Sequence, residues 1–183
     1  MKLLLLRHEE REEYPGFFSN LTRNGLKNAF QLEKILKKKK IDIIYSSPMV
    51  RTLQTIFPYC LKNDTSLNAE YALYEYRHNP YFLIEPKIYS LKDIHNSYLQ
   101  SIINTKYKTL IKKKDFSSSL ENEKHLEKRI SIFLKSIKKD HKNKTILIVS
   151  HKGVLNKIKQ LIGENITMDD EFPMGSFEEF TFC

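Results

Sequence analysis

An arginine and a histidine stand together at positions 7 and 8, straight after the apolar run Leu3-Leu4-Leu5-Leu6. An unbroken apolar run of this kind reads as a strand buried on both faces. Ending in Arg-His, it delivers a cation and an imidazole to the carboxyl edge of its sheet, where open α/β folds place their chemistry. Two later segments repeat the arrangement. Ile41 to Tyr45 leads into Ser46-Ser47-Pro48 with Arg51 just beyond, and Thr145 to Val149 leads into Ser150-His151-Lys152-Gly153. An unprotonated imidazole among guanidinium groups suits attack on an anionic centre such as a phosphoryl group, with an acid needed for the leaving oxygen. Arginine fits this better than lysine, because its planar fork grips two oxygens at once.

The elements that must position these residues follow from local pattern. Glu9 to Asn20 is polar and aromatic around Pro15-Gly16 and reads as a loop. Thr22 is placed as a helix N-cap, and Ala29, Leu32, Ile35 and Leu36 give the spacing of one apolar helix face. Lys37 to Lys40 close that helix, where cations suit the negative end of its dipole. Ser46-Ser47-Pro48 is expected to start the next helix, with serine caps and proline in the first turn, and Pro58 to end or kink it. A short strand is expected within Leu67 to Leu73, a helix near Leu91 to Ile111, and an amphipathic helix over Glu121 to Lys139. After the strand Thr145 to Val149, a helix spans Gly153 to Ile162 and Phe177 to Phe182 closes the sheet as an edge strand. Strands alternate with helices, which predicts an α/β fold with a mostly parallel sheet.

The order and spacing of Arg7-His8, Leu21-Thr22-Arg23-Asn24-Gly25, Ser46-Ser47-Pro48-Met49-Val50-Arg51-Thr52-Leu53-Gln54-Thr55 and Val149-Ser150-His151-Lys152-Gly153 resemble the histidine phosphatase superfamily, the phosphoglycerate-mutase-like enzymes. The resemblance runs from Lys2 to about Gly163. It implies a three-layer sandwich with helices on both faces of the sheet; the length suits one domain over residues 1–183, and the weak pattern after Glu75 reads as an insertion or lid at about 76–119. The resemblance implies that His8 is the nucleophile that becomes phosphohistidine, and that Arg7, Arg51 and His151 bind the phosphoryl oxygens. Leu73-Tyr74-Glu75 matches the family's Leu-x-Glu, which makes Glu75 the candidate general acid.

Three departures from the family stand out. Where a glycine-rich stretch commonly follows the glutamate, this chain has Tyr76-Arg77-His78-Asn79-Pro80, so Arg77 and His78 are candidates for reading the non-reacting part of the substrate. Glu9 stands where the family usually has a small residue, and Lys152 where it often has glycine. An anion beside a phosphate site is unfavourable unless it points away or is paired. Arg11 and Lys152 are the expected partners of Glu9 and, with Arg77, further candidates for substrate binding.

Composition bounds these readings. The chain has 183 residues, 40% hydrophobic and 11% aromatic, values of a globular domain with a sizeable core. Its formal charge of +9 attracts anions, yet many of the lysines lie in runs, Lys37 to Lys40, Lys112 to Lys114 and Lys138-Lys139, of the kind that coats a solvated face. No nucleic-acid motif accompanies them, so nucleic acid is not the expected partner. Cys60 and Cys183 carry no metal or disulfide spacing and read as free thiols of a cytoplasmic protein, and the apolar opening is too short for a leader or membrane span. The chain lacks a carboxylate cluster of metal-ligand type, so no metal or other cofactor is expected. The expected function is a metal-independent phosphomonoester hydrolase acting on a phosphorylated small molecule or phosphoprotein. The alternatives are a phosphoglycerate-type mutase, which needs a basic insertion that this length leaves little room for, and a non-catalytic phospholigand or protein-interaction module. Glu9 is the argument for the last.

Overall fold

The computed structural model describes residues 1–79, 88–112, 115–116 and 120–182. Pro80, Pro86, Lys113-Lys114 and Cys183 lie outside them. Five strands form one sheet: β1 (Lys2–Arg7), β2 (Ile43–Ser46), β3 (Asn68–Ala69), β4 (Thr145–Ser150) and β5 (Phe177–Thr181), in the spatial order β3-β2-β4-β1-β5. The first four run parallel and β5 joins antiparallel to β1, as a closing edge strand. Leu3 to Leu6 and Ile146 to Val149 are fully buried, which is why these strands read as unbroken apolar runs.

Strand order and chain direction decide where the helices lie. From β1 to β2 and on to β3 the chain moves one way across the sheet, through α1 (Arg23–Leu36) and α2 (Val50–Lys62). From β3 to β4 it moves the other way, through the one-turn α3 (Ser97–Gln100) and the long α4 (Glu123–Asp140), and α5 (Lys152–Leu161) follows β4. Right-handed crossovers therefore put α1 and α2 on one face and α4 on the other. The packing agrees, with α1 against α2 and α4 against α5.

Local chemistry explains most boundaries. Thr22 caps α1 by accepting the Gly25 N–H at 3.0 Å, and Glu10 accepts from Thr22 and Asn24, which ties the loop after His8 to the helix start. A Cβ at Gly25 would overlap the Glu10 carbonyl oxygen, so this close approach needs glycine. Lys37 to Lys39 continue α1 as a 3-10 turn, and Lys40 leaves it at φ 49°.

Several expectations are corrected. α2 begins at Val50 rather than at the serines: Ser46 ends β2, and Met49 is the extended residue before the helix. Pro58 sits inside α2, which continues to Lys62 because Tyr59 and Cys60 are buried in the core, and that packing outweighs the lost backbone bond. No helix spans 91 to 111. A 3-10 turn at Leu91–Asp93 and α3 stand there instead. The chain beyond is held by the buried Glu70, whose carboxylate accepts from Ala72 N, Leu110 N, Ile111 N, Thr109 Oγ1 and Tyr107 Oη.

Two of the lysine runs, Lys37 to Lys40 and Lys138-Lys139, converge on one edge of the molecule. Lys2, Lys34, Lys37–Lys40, Lys135, Lys138, Lys139, Lys142 and Lys144 lie where α1 and α4 end and β1, β2 and β4 begin, with Asp42, Asp140 and Glu179 as acids among them. Contacts knit the group together: Glu179 pairs with Lys2 and Lys39, Lys144 with Asp42, and Lys138 sits over the Phe182 ring. Among the described residues no helix is long and apolar enough to cross a membrane.

Candidate active site

Register brings the chemistry together. Arg7 pairs with Ser150 and Ser46 with Val149, so three parallel strands end within one residue of one another. The next residue of each, His8, His151 and Ser47, then stands at the carboxyl edge. The His8 N–H donates to Ser150 O at 3.0 Å and the Ser47 N–H to Val149 O at 2.9 Å, extending the ladder by one residue.

His8 is buried, and its Nδ1 lies 2.8 Å from the Glu9 carbonyl oxygen. A carbonyl only accepts, so Nδ1 carries the hydrogen and Nε2 keeps its lone pair. Burial, with Arg51 and Arg7 nearby, holds the His8 pKa well below its ordinary value. The ring is neutral at neutral pH, the form a nucleophile needs. The His8 and His151 ring centroids are 5.2 Å apart.

Arg51 is fully buried and organises the rest. Its Nη2 lies 3.2 Å from Glu75 Oε2 and 3.2 Å from His151 Nδ1, while Nη1 donates to Gly16 O at 2.9 Å and Pro15 O at 3.3 Å. Burial lowers its pKa to about 10, which leaves it charged at neutral pH. His151 is held from both sides: Glu75 Oε2 is 3.3 Å from Nδ1, and Ser47 Oγ is 2.9 Å from Nε2. Burial and the neighbouring cations lower the His151 pKa as well. Glu75 Oε1 accepts the Tyr76 N–H at 3.0 Å. Arg7 donates from Nη1 to Phe172 O at 2.6 Å. The cluster unites His8, Arg51, Glu75 and His151.

Glu75 also lines a cavity of about 880 Å³ together with Arg11, Tyr14, Tyr76, His78 and Lys152, a size typical of small-molecule sites. Arg11 donates to the carbonyls of Glu12 and Glu13, and Lys152 to Asp169 O with Glu171 Oε1 at 3.3 Å. Arg77 does not join them. It is buried and lines a second cavity beside Arg129 and Phe116, because neighbours in a non-helical segment project to opposite sides. His78, one residue on, does face the first cavity.

Glu9 turns away from the cluster. Its carboxylate lies against Gly175, at φ 74°, where a Cβ would overlap it, and it is hydrogen-bonded to the Asn28 side chain. The expected pairing with Arg11 or Lys152 is therefore replaced by a berth on the far side of the loop, where burial raises the Glu9 pKa. Glu9→Gln, which deletes the charge and keeps the shape, is expected to change phosphate-ester turnover by less than about tenfold, or 1.4 kcal/mol. Steady-state kinetics decide this. A hundredfold gain would mean an inward charge.

Sequence reasoning missed three positioning residues. Ser47 was read as a helix cap but holds His151. Thr55 Oγ1 accepts the Glu9 N–H at 3.0 Å and donates to Arg51 O at 2.8 Å, bracing the backbone after His8. Gln54 accepts the Leu21 N–H at 2.8 Å and so anchors the far end of the same loop. The Ser-x₃-Arg-x₂-Gln-Thr spacing was the available signal, since helical periodicity faces these groups toward one loop.

The model of the histidine phosphatase superfamily (branch 1) matches residues 3–176. A putative phosphoserine phosphatase 2 of Hydrogenobacter thermophilus is 30% identical over 168 residues, covering 88% of this chain and 78% of that protein. Among solved structures, ecdysone phosphate phosphatase of Bombix mori, in complex with tungstate, superposes with a TM-score of 0.73 at 14% identity, covering 97% of this chain and 88% of that one. Alpha-ribazole phosphatase of Shigella flexneri gives 0.68 at 20% identity, covering 98% and 89%. The two structures speak for the fold; the family match covers nearly the whole chain. The chain belongs to the histidine phosphatase superfamily. It is an enzyme of that phosphatase type.

Proposed function

We propose that the protein hydrolyses phosphomonoesters of small molecules without a metal, passing the phosphoryl group through Nε2 of His8. The observation that carries this reading is the His8 tautomer: Nδ1 is committed to Glu9 O, which leaves a neutral Nε2 for in-line attack. Arg7, Arg51 and His151 then bind the phosphoryl oxygens. Glu75 Oε2 already sits against Arg51 and His151 as an anion would. A phosphoryl group that takes over those contacts frees the carboxyl group to protonate the leaving oxygen and afterwards to activate water. The phosphate-binding cations act where charge develops, the kind of contribution worth several kcal/mol. The phosphoserine phosphatase name of the sequence relative supports a small phosphorylated metabolite.

One observation favours a second reading. His8, Glu75 and His151 each offer a ligand atom, all within 4.8 Å of one another, a grouping that could hold a metal ion. The Arg51 guanidinium, 3.2 Å from both Glu75 and His151, puts a fixed positive charge among those ligands and opposes a second cation there. Purified protein should therefore release inorganic phosphate from nitrophenyl phosphate in excess chelator. Glu75→Gln should slow alkyl phosphates far more than nitrophenyl phosphate, whose leaving group needs no proton. Activity that requires added metal, or equal slowing of both esters, would count against this mechanism. Phosphate transfer between phosphoglycerates without net release would make it a mutase, and no turnover of any ester a binding module.

A further inference from the structure

The second half of the substrate, the alcohol that leaves, faces chemistry of its own. Tyr76 and His78 both line the 880 Å³ cavity, with ring centroids 4.6 Å apart and planes 25° from parallel. The imidazole is pinned in that pose by its Nδ1, 3.0 Å from the Tyr76 carbonyl oxygen, and His78 is exposed. Two rings stacked this way form a ready platform for a third, since every planar π-system can add to the pile. Gly153 gives the Tyr76 ring its place: a Cβ there would come within 3.3 Å of Tyr76 Cβ and Cδ1, so a larger residue would press on the ring. The platform also starts in the right place. The Tyr76 N–H donates to Glu75 Oε1, so the stack begins one residue beyond the acid that serves the leaving oxygen.

Charge and size narrow the class. The cavity wall carries Glu13, Glu123 and Asp169 against Arg11 and Lys152, and both cations already bond to protein oxygens. Among the described residues, a second phosphate or carboxylate on the substrate finds no prepared partner there. A three-carbon alcohol would leave most of 880 Å³ to water. Resting on the phosphatase reading above, we propose that the preferred substrates are monophosphates of flat aromatic or heteroaromatic alcohols, seated on the Tyr76–His78 stack.

The test compares 2-naphthylmethyl phosphate with n-propyl phosphate, primary alkyl esters whose leaving oxygens have similar proton demand. The naphthylmethyl ester should win by at least about tenfold in kcat/KM, mostly through KM. The double variant Tyr76→Leu/His78→Ala should bring that ratio below about threefold, and Tyr76→Phe, which keeps the ring, should preserve it. Equal turnover of the two esters by the native protein would overturn the proposal, as would an undiminished ratio in the double variant. Phosphate release from neither ester would instead overturn the phosphatase reading beneath it.

Discussion

Replacing His8 with alanine is expected to abolish turnover, together with the acid-labile phosphate that the native protein should carry when quenched during the reaction. No other group in the cluster offers a neutral nucleophilic nitrogen directed by a committed Nδ1. The variant should fold, because the ring makes one side-chain hydrogen bond and that bond is to the neighbouring carbonyl. Acid response supplies an independent check. The folded chain holds His8 and His151 well below their ordinary pKa of 6.5, whereas the unfolded chain protonates them near it. The unfolded state therefore binds more protons below about pH 6.5, and stability falls as the pH drops through that window. Each histidine contributes up to about 1.4 kcal/mol per pH unit. His8→Ala removes one of the two and should soften the acid loss of stability, read from melting temperatures between pH 7 and pH 5. Undiminished hydrolysis in this variant would end the phosphohistidine mechanism.

Arg51 is the second position where a large effect is expected. Alanine there should lower kcat/KM by about 30- to 1000-fold, equivalent to about 2–4 kcal/mol of lost transition-state stabilisation. Lysine should recover part of it. An ammonium keeps the charge but cannot face Glu75 and His151 with one nitrogen while holding Gly16 O with another. Alanine also strands Glu75 without its cation and removes the donor that holds the Pro15-Gly16 turn, so melting temperature must be measured beside the kinetics. A variant that melts like the native protein and loses activity assigns the loss to the site. Equal and mild losses from alanine and lysine would place Arg51 outside the reaction.

The parts of this architecture legible in the sequence are those fixed by local pattern. Leu3 to Leu6 and Thr145 to Val149 announce buried strands because both faces of the sheet are covered, and the residues at their ends follow from strand length alone. Thr22 and Gly25 were equally plain, one as a cap and the other as part of a motif whose tight contact with Glu10 the structure then supplies. The segment after Glu75 was not legible, for a physical reason. The stretch from Tyr107 to Ile111 is held by Glu70, which collects donors from residues up to 41 positions away, and no local periodicity encodes such a hub. At its far end the helix expected over 91 to 111 gives way to these contacts. Arg77 was misplaced by one step of alternation. Its type suggested the substrate, but its neighbours Tyr76 and His78 take the cavity side, and Arg77 takes the other.

The lysine-rich edge has a bearing on how substrate arrives. The eleven lysines there carry much of the formal +9. That edge marks the start of the parallel strands and the His8–His151 cluster their end, a separation of about 20 Å for a strand of six residues. At physiological ionic strength fields between exposed charges fade within about 8 Å. On the proposed function, an anionic substrate diffusing toward the cavity would thus be scarcely guided by the protein's net charge. Capture on that reading would begin on contact, where the buried Arg51 takes over, rather than by long-range attraction.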